Sequence, residues 1–228
     1  MVRGKIRNQR TQLRRSSKRP VPEAVLRELR ELSLATADVR TRGTLLGIEG
    51  QAARLYFEHF ASMLVEDHPW AREFESNGRR RRPPPDPVNA LLGFVYAILV
   101  KEVTVACLAV GLDPYLGVLH RSRYVRPSLA LDLAEEFRPL IAESVVLQVV
   151  NNGEVDEASV VSGPLGITLT QHGRRAVLRA FERRMDSEIT HPVFGYRISY
   201  RRVLDVQVRM LAGVFLRELP EYVPMTTR

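Results

Sequence analysis

The chain has 228 residues, 45% of them hydrophobic, which is enough for one large domain or two small ones with a real core. Its net charge of +8 favours a polyanionic partner, nucleic acid ahead of an acidic membrane surface, although a basic surface can also serve solubility alone. The single cysteine, Cys107, excludes a disulfide within the chain and a cysteine zinc site, and it suits a reducing cytoplasm.

The N-terminal stretch is strongly basic. Eight basic side chains, no acidic one and no following apolar run do not make the pattern of a signal peptide. We expect residues 1–20 to form a basic arm or the remnant of a linker, and residues 21–228 to form a helical domain. The first predicted helix of that domain follows Pro22 and carries Val25 and Leu29 at helical spacing.

The next predicted helix runs from Glu49 to about residue 66 and opens with a carboxylate between two glycines, Gly47 and Gly50. Its apolar residues recur at helical spacing. The residues expected in the core are Ala52, Tyr56, Phe60 and Met63. We expect the glycines to let the backbone approach a nucleic acid or a packed helix. The alternative for Glu49 is a carboxylate in a first helical turn that only favours the helix dipole.

The stretch "ESNGRRRRPPPDP", residues 75–87, interrupts the helical pattern with four arginines and four prolines. It is predicted to be an exposed, extended loop, serving either as a solvated linker or as a phosphate contact. The most apolar run follows, from Val88 to Gly111. Because Lys101 and Glu102 lie near its middle, we expect a helix buried on nearly all sides of a soluble core and not a membrane span.

The C-terminal half is predicted to be helical with one interruption. A helix begins at Ser128 and is expected to kink or break at Pro139. A small hairpin is expected around Gly163 and Gly166. Two more helices are predicted, over residues 171–189 and 200–216. Since alternating runs are too short for a sheet-based core, the predicted class is mainly α, a multi-helix domain with at most a small hairpin.

An acidic cluster lies on the helix that begins at Ser128. Asp132, Glu135 and Glu136 share one helical face, and they follow His120 by 12 to 16 residues. Carboxylates held close together repel one another unless a cation neutralises them, and oxygen ligands suit magnesium or manganese. Spacing alone leaves the alternative open, because a solvated acidic face and an unrelated histidine give the same pattern.

Four motifs, taken in their order along the chain, favour the metal site over a solvated acidic face. They are "GIEG", "GLDPYLGVLH", "SLALDLAEEFRP" and "THPVFGYRISYRR", with "NQRTQLRR" near the start. Together they resemble the CRISPR-associated integrase family, Cas1, over nearly the whole chain. The resemblance implies a helical catalytic domain with a Mn²⁺ or Mg²⁺ site. It implies Glu49, His120 and Glu135 as the metal ligands and Asp132 as an auxiliary acidic residue. Glu136 remains a competitor for the third position because it shares the helical face.

The resemblance also implies an activity and partners. The family acts on DNA in CRISPR adaptation, where it joins the 3′-hydroxyl ends of a captured spacer duplex to the CRISPR repeat by transesterification, and it can cut branched DNA. The implied partners are this DNA and the Cas2 protein, with a fused Cas4 nuclease or reverse transcriptase in some relatives. The family's N-terminal β-domain, which mediates homodimerisation, is not recognised in this sequence. The alternative function is a non-catalytic basic helical module that binds DNA or acts as a scaffold.

Arginines near the implied ligands and in the proline-rich loop are the predicted DNA contacts. They are Arg54, Arg79, Arg80, Arg121, Arg123, Arg126 and Arg138, with the N-terminal arm as a further candidate. Each of them can instead be a solubilising surface charge.

Overall fold

The structure is a computed structural model that describes residues 1–227, in which the chain forms nine α-helices and four short strands. The helices are α1 (Val2–Ser16), α2 (Glu23–Ala35), α3 (Arg42–Glu58), α4 (Pro69–Asn77), α5 (Pro87–Val110), α6 (Ser128–Phe137), α7 (Ser144–Asn151), α8 (Gln171–Asp186) and α9 (Tyr200–Phe215). The strands are β1 (Val160–Gly163), β2 (Gly166–Leu169), β3 (Glu188–Thr190) and β4 (Arg197–Ser199). The predicted mainly-α class is confirmed.

The strands form two separate antiparallel pairs. In β1–β2, Gly163 lies opposite Gly166, so the hairpin forms where the sequence predicts it. The second pair, β3–β4, was not predicted. Its two strands have only three residues each, which is too short for an alternating pattern to stand out.

Helix α1 corrects the prediction of a basic arm. Residues 2–16 form a continuous helix whose face with Val2, Ile6 and Leu13 is buried in the same core as the rest of the domain. The helix packs against α2, α3 and α6. Its few apolar residues are separated by arginines that point outward, which hides the helical period in the sequence.

Helix α3 starts earlier than predicted, because Thr41 caps it by accepting a hydrogen bond from the Thr44 backbone N–H at 3.2 Å. Glu49 therefore lies in the middle of the helix and not in its opening turn. The predicted core residues Ala52, Tyr56, Phe60 and Met63 are all fully buried, the last two in a 3₁₀ turn after the helix.

Of the two predicted reasons for the flanking glycines, close packing against another helix is not seen within the described chain. A side chain added at Gly47 or Gly50 would meet no atom of residues 1–227 within 4 Å. The glycines are therefore not required for close packing against this part of the protein.

Helix α5 is the central helix and packs against α4, α6, α7 and α9. It differs from the prediction of burial on nearly all sides, because Val105 and Leu108 are exposed on one face. Within residues 1–227 it is also the one helix long and apolar enough to cross a membrane, a test that the core helix of a soluble protein passes equally. The sequence reading missed α4, which lies between α3 and the proline-rich loop.

Helix α6 ends at Phe137, and a π-helical turn over Arg138–Glu143 follows, so the predicted interruption at Pro139 is observed. All residues of α6 except Leu131 are buried. The acidic cluster on this helix therefore faces the interior, which excludes a solvated acidic face. Buried carboxylates need partners, and these partners define the site.

Candidate functional site

The three carboxylates of α6 each meet a different set of partners. Asp132 organises the loop that carries His120. Its carboxylate accepts the backbone N–H groups of Val118 and Leu119, both at 2.7 Å, and of His120 at 2.9 Å. The same carboxylate contacts His120 Nδ1 at 2.5 Å. This contact fixes the ring by one nitrogen and leaves Nε2 as the nitrogen able to ligate a metal.

A glycine makes this loop possible. A side chain at Gly117 would come within 2.3 Å of the His120 carbonyl oxygen and 2.6 Å of the Ser128 Cβ atom. Position 117 in "GVLH" therefore has to be glycine, because only glycine lets the loop bring the histidine next to the start of α6.

Glu135 and Glu49 converge on one cation, the Lys5 ammonium. Lys5 is buried in α1, and its Nζ atom contacts Glu49 Oε1 and lies 2.6 Å from Glu135 Oε2. Three helices that are distant in sequence, α1, α3 and α6, therefore contribute to one charged cluster. Glu49 is the more open of the two carboxylates, with 22% of its side chain exposed against 5% for Glu135.

A second cation completes this cluster. Arg138 Nη2 lies 3.0 Å from Glu135 Oε1, and the guanidinium lies over the Tyr96 ring, 4.6 Å from its centroid. Burial alone would raise the pKa of Glu135, but the charges of Lys5 and Arg138 outweigh burial and lower it to about 2. Glu135 is therefore a carboxylate kept ionised inside the protein.

Glu136 faces a different set of partners, although it is the next residue. Its Oε1 atom accepts hydrogen bonds from Tyr222 Oη at 2.6 Å and Gln207 Nε2 at 2.9 Å. Burial raises its pKa, and the charge of the Met1 ammonium together with these neutral donors only partly offsets that effect. Glu136 thus ties α6 to α9 and to the C-terminal tail, and the geometry favours Glu135 over it as the ligand next to Glu49.

The residues suit a divalent metal in their chemistry, although residues 1–227 hold no group of three His, Cys, Asp or Glu side chains arranged as a metal site. Glu49 and Glu135 already point at one cation. Glu135 Oε2 is buried, and within the described residues it lacks a hydrogen bond of good geometry despite its contact with Lys5. The charge of His120 acts on Glu135. Carboxylate oxygens and an imidazole nitrogen are donors that Mn²⁺ and Mg²⁺ accept.

The predicted DNA-contacting arginines fall into two groups. Arg54, Arg80, Arg121 and Arg123 are exposed, and Arg126 is half-buried in the loop after His120. Arg79 and Arg138 are instead placed over the Tyr96 ring, at 5.4 and 4.6 Å from its centroid. Arg79 also donates to Asn89 Oδ1 at 2.8 Å, which ties the proline-rich loop to α5. These two side chains are held within the protein's own structure.

Sequence reasoning missed three features of this surface. Lys5 was one basic residue among eight, and nothing in its local pattern marks it as buried. Tyr124, between the loop arginines, is 99% exposed. A groove between α1 and α2 is lined by basic side chains. They are Arg3, Arg7, Arg10, Arg14 and Arg30.

Comparison with known proteins identifies the family of this chain. A model of the family described as CRISPR associated protein Cas1 matches residues 1–183. The chain belongs to the Cas1 family. The family resemblance of the four motifs is confirmed. A CRISPR-associated endonuclease Cas1 from Leptospira interrogans is 31% identical over 98% of this chain and 90% of its own length.

Other Cas1 relatives are longer than this chain. It is 46% identical to a CRISPR-associated exonuclease Cas4/endonuclease Cas1 fusion from Geobacter sulfurreducens, over 98% of this chain and 41% of that protein. The chain spans 65% of the length of a Thermus thermophilus endonuclease Cas1, to which it is 43% identical.

The fold is shared with a solved Cas1 structure and with a solved casposase. A Cas1 protein from Thermotoga maritima superposes with a TM-score of 0.75 at 22% identity, covering 96% of this chain and 67% of that one. A casposase bound to its integration product superposes with a TM-score of 0.79 at 22% identity, covering 96% of this chain and 60% of that one. At this identity the two likenesses show the fold alone.

Proposed function

We propose that this chain is the catalytic part of a divalent-metal-dependent DNA endonuclease and integrase of CRISPR adaptation. The observation that carries the proposal is the convergence of Glu49 and Glu135 on a single cation, with His120 held by Asp132, which lies one turn before Glu135 on α6. A membership in the Cas1 family and relatives named as endonucleases support it.

In this proposal Glu49, His120 and Glu135 hold Mn²⁺ or Mg²⁺. The metal supplies Lewis acidity, which polarises a phosphoryl oxygen and stabilises charge at the phosphorus. Asp132 acts through His120, because it fixes the ring and thereby presents Nε2. Arg138 contacts the Glu135 oxygen that Lys5 does not contact, and its charge helps to keep that carboxylate ionised.

The proposed reaction is a transesterification. A spacer 3′-hydroxyl attacks the phosphorus at an end of the repeat, a new P–O bond forms, and the bond from that phosphorus to the 3′-oxygen of the preceding nucleotide breaks. The attacking hydroxyl gives up a proton, the leaving oxygen takes one, and the number of phosphodiester bonds stays the same. Cleavage of branched DNA replaces the hydroxyl with water.

The surface near His120 suits a DNA backbone. Arg121, Arg123 and Arg126 follow the histidine directly, and the fully exposed Tyr124 between them offers a ring on which a base can stack. The basic groove between α1 and α2 and the exposed Arg54 and Arg80 add further positive surface. Electrostatic binding of phosphates is the common property of these regions.

The proposed partners are spacer DNA, the CRISPR repeat and Cas2 in the cytoplasm, with a Cas4 nuclease as a further partner and homodimerisation in the complete protein. Support comes from relatives. A solved assembly called a partial Cas6-RT-Cas1–Cas2 complex superposes with a TM-score of 0.81 at 25% identity. Fusions of Cas4 with Cas1 are among the related proteins.

A cleavage and strand-transfer assay tests the proposal. Labelled branched DNA is incubated with the protein and Mn²⁺ or Mg²⁺, and products are resolved on a denaturing gel. We expect metal-dependent product from the wild type and a loss of at least about 100-fold in Glu49→Ala, His120→Ala and Glu135→Ala. His172→Ala, at an exposed histidine on α8, is the matched control and should keep full activity.

DNA affinity separates the two candidate functions. The alanine variants should still bind DNA with nearly wild-type affinity, since the phosphate contacts are proposed to lie elsewhere. Full activity in the three variants would show that the site assignment is wrong. DNA binding without any metal-dependent product, under conditions where a relative is active, would favour the non-catalytic basic module.

A further inference from the structure

Lys5 is the least expected member of the site, because lysine is rarely buried without a carboxylate partner. It is 4% exposed, and its ammonium contacts carboxylates from two other helices. The positive charges of Lys5 and Arg138 match the negative charges of Glu49 and Glu135, so these four side chains together carry no net formal charge. A protein whose carboxylates simply awaited a divalent cation would not need an internal cation between them.

The position of Lys5 conflicts with metal binding at the same carboxylates. Glu135 has no oxygen free of a cation, since Oε1 faces Arg138 at 3.0 Å and Oε2 faces Lys5 at 2.6 Å. A divalent cation next to the ammonium would meet strong repulsion at low dielectric. One of the two side chains has to give way before Glu135 can ligate a metal.

Lys5 is the side chain better able to move. Arg138 is held by its stacking on Tyr96 and lies within the π-helical turn. Lys5 has a flexible four-carbon stem, and the cluster opens to solvent on the side of Glu49, whose side chain is 22% exposed. When the Lys5 ammonium moves toward this opening, Glu49 and Glu135 both face the position that it occupied.

We propose that Lys5 is a built-in competitor for the metal: it holds Glu49 and Glu135 together in the metal-free protein and is displaced when a divalent cation binds. This inference rests on the metal site of the proposed function. It makes Lys5 a positioning residue with two opposite effects. The residue preorganises the carboxylates, and it weakens the apparent affinity for the metal because each binding event must break its ion contacts.

A titration with Mn²⁺ tests the exchange without any DNA. Free Mn²⁺ is followed by its electron paramagnetic resonance signal with wild type, Lys5→Met and Lys5→Gln. We expect both variants to bind Mn²⁺ at least about tenfold more tightly than the wild type, which corresponds to about 1.4 kcal/mol. Lys101→Met is the matched control, because Lys101 is an exposed lysine that contacts Glu102 on α5, and its affinity should be unchanged.

Thermal melting keeps the test decisive if a variant folds poorly. Without the ammonium, Glu49 and Glu135 repel each other, so Lys5→Met should melt below the wild type without metal and gain more from Mn²⁺. Lys5→Gln keeps a hydrogen-bond donor and is the gentler variant. Equal or weaker Mn²⁺ affinity in a folded variant, or a smaller gain in melting temperature, would overturn the competitor role.

Further variants separate this inference from the proposed function. Glu49→Gln and Glu135→Gln should each weaken Mn²⁺ binding, and wild-type affinity in both would place the metal elsewhere and overturn both proposals. Tighter Mn²⁺ binding in the Lys5 variants without any DNA cleavage by the wild type would leave the exchange standing and refute the nuclease.

Discussion

Glu135 and Glu136 are neighbours on one buried helix and yet belong to two different regions of the molecule. Glu135 faces two cations, Lys5 and Arg138, and its pKa is lowered to about 2. Glu136 faces the neutral donors Tyr222 and Gln207, and burial raises its pKa. The side chains that contact the two carboxylates differ in charge, whereas both carboxylates are buried.

This contrast separates a carboxylate available for chemistry from one that serves the fold. A carboxylate balanced by the charge of a flexible side chain can exchange one cation for another, which is the exchange proposed for Lys5. A carboxylate that accepts hydrogen bonds from three residues, including the backbone N–H of Met225 at 3.4 Å, is fixed by geometry. Neighbouring positions on α6 thereby build both a candidate metal ligand and an anchor for the C-terminal tail.

The strongest test of the contrast exchanges each carboxylate for its amide. Glu135→Gln should weaken Mn²⁺ binding at least about 100-fold, because a neutral amide is a poorer metal ligand and loses the attraction of the charge. Glu136→Gln should leave Mn²⁺ affinity within about twofold of the wild type. Both affinities come from the same titration, and equal losses would show that the two residues share one site.

A weaker effect is expected from the Glu136 region, on stability alone. Tyr222→Phe removes a hydroxyl that donates to Glu136 at 2.6 Å and accepts from Gln207 at 2.8 Å. Leaving these buried groups short of a partner should lower the free energy of unfolding by about 1–3 kcal/mol, measured by urea denaturation. Tyr124→Phe, at a fully exposed tyrosine, is the control and should unfold like the wild type.

A further outcome would contradict this division of roles. If Tyr222→Phe weakened Mn²⁺ binding as much as it lowered stability, the two regions would be coupled through α6. The contrast predicts that only stability changes, because Tyr222 does not contact the cluster of Lys5, Glu49 and Glu135 among the described residues.

Much of the fold could be predicted because apolar spacing and caps are local. The core residues of α3, the interruption at Pro139 and the hairpin at Gly163 follow from such signals. The start of α3 could not be placed, because the cap at Thr41 precedes the amphipathic pattern by several residues. Helix α1 was hidden because much of its buried surface is polar, and the buried residues include Lys5, Asn8, Gln9 and Thr11.

Prediction of the site from the sequence was limited in the same way. Motif resemblance pointed to Glu49 and Glu135, which the structure brings to one cation, but it gave no reason to separate Glu135 from Glu136 by their partners. Those partners are Lys5, far to the N-terminal side, and Tyr222, far to the C-terminal side. Long-range pairing of single polar residues leaves no periodic trace in a sequence, so only coordinates reveal it.

The smallest expected effect is on the labelling of Cys107, which tests whether the loss of stability in the Glu136 region extends to the core. Burial raises the pKa of this thiol to about 11, so at pH 8 only about one thiol in a thousand is the reactive thiolate in the folded protein. Labelling by a thiol reagent at pH 8 should stay slow in the wild type and in Tyr124→Phe, the variant at an exposed site. In Tyr222→Phe, labelling at pH 8 should be about tenfold faster if stability falls by about 1.4 kcal/mol, because the thiol reacts when the chain opens. Equal labelling rates in a destabilised Tyr222→Phe would confine the damage to the C-terminal tail and leave the central helix closed.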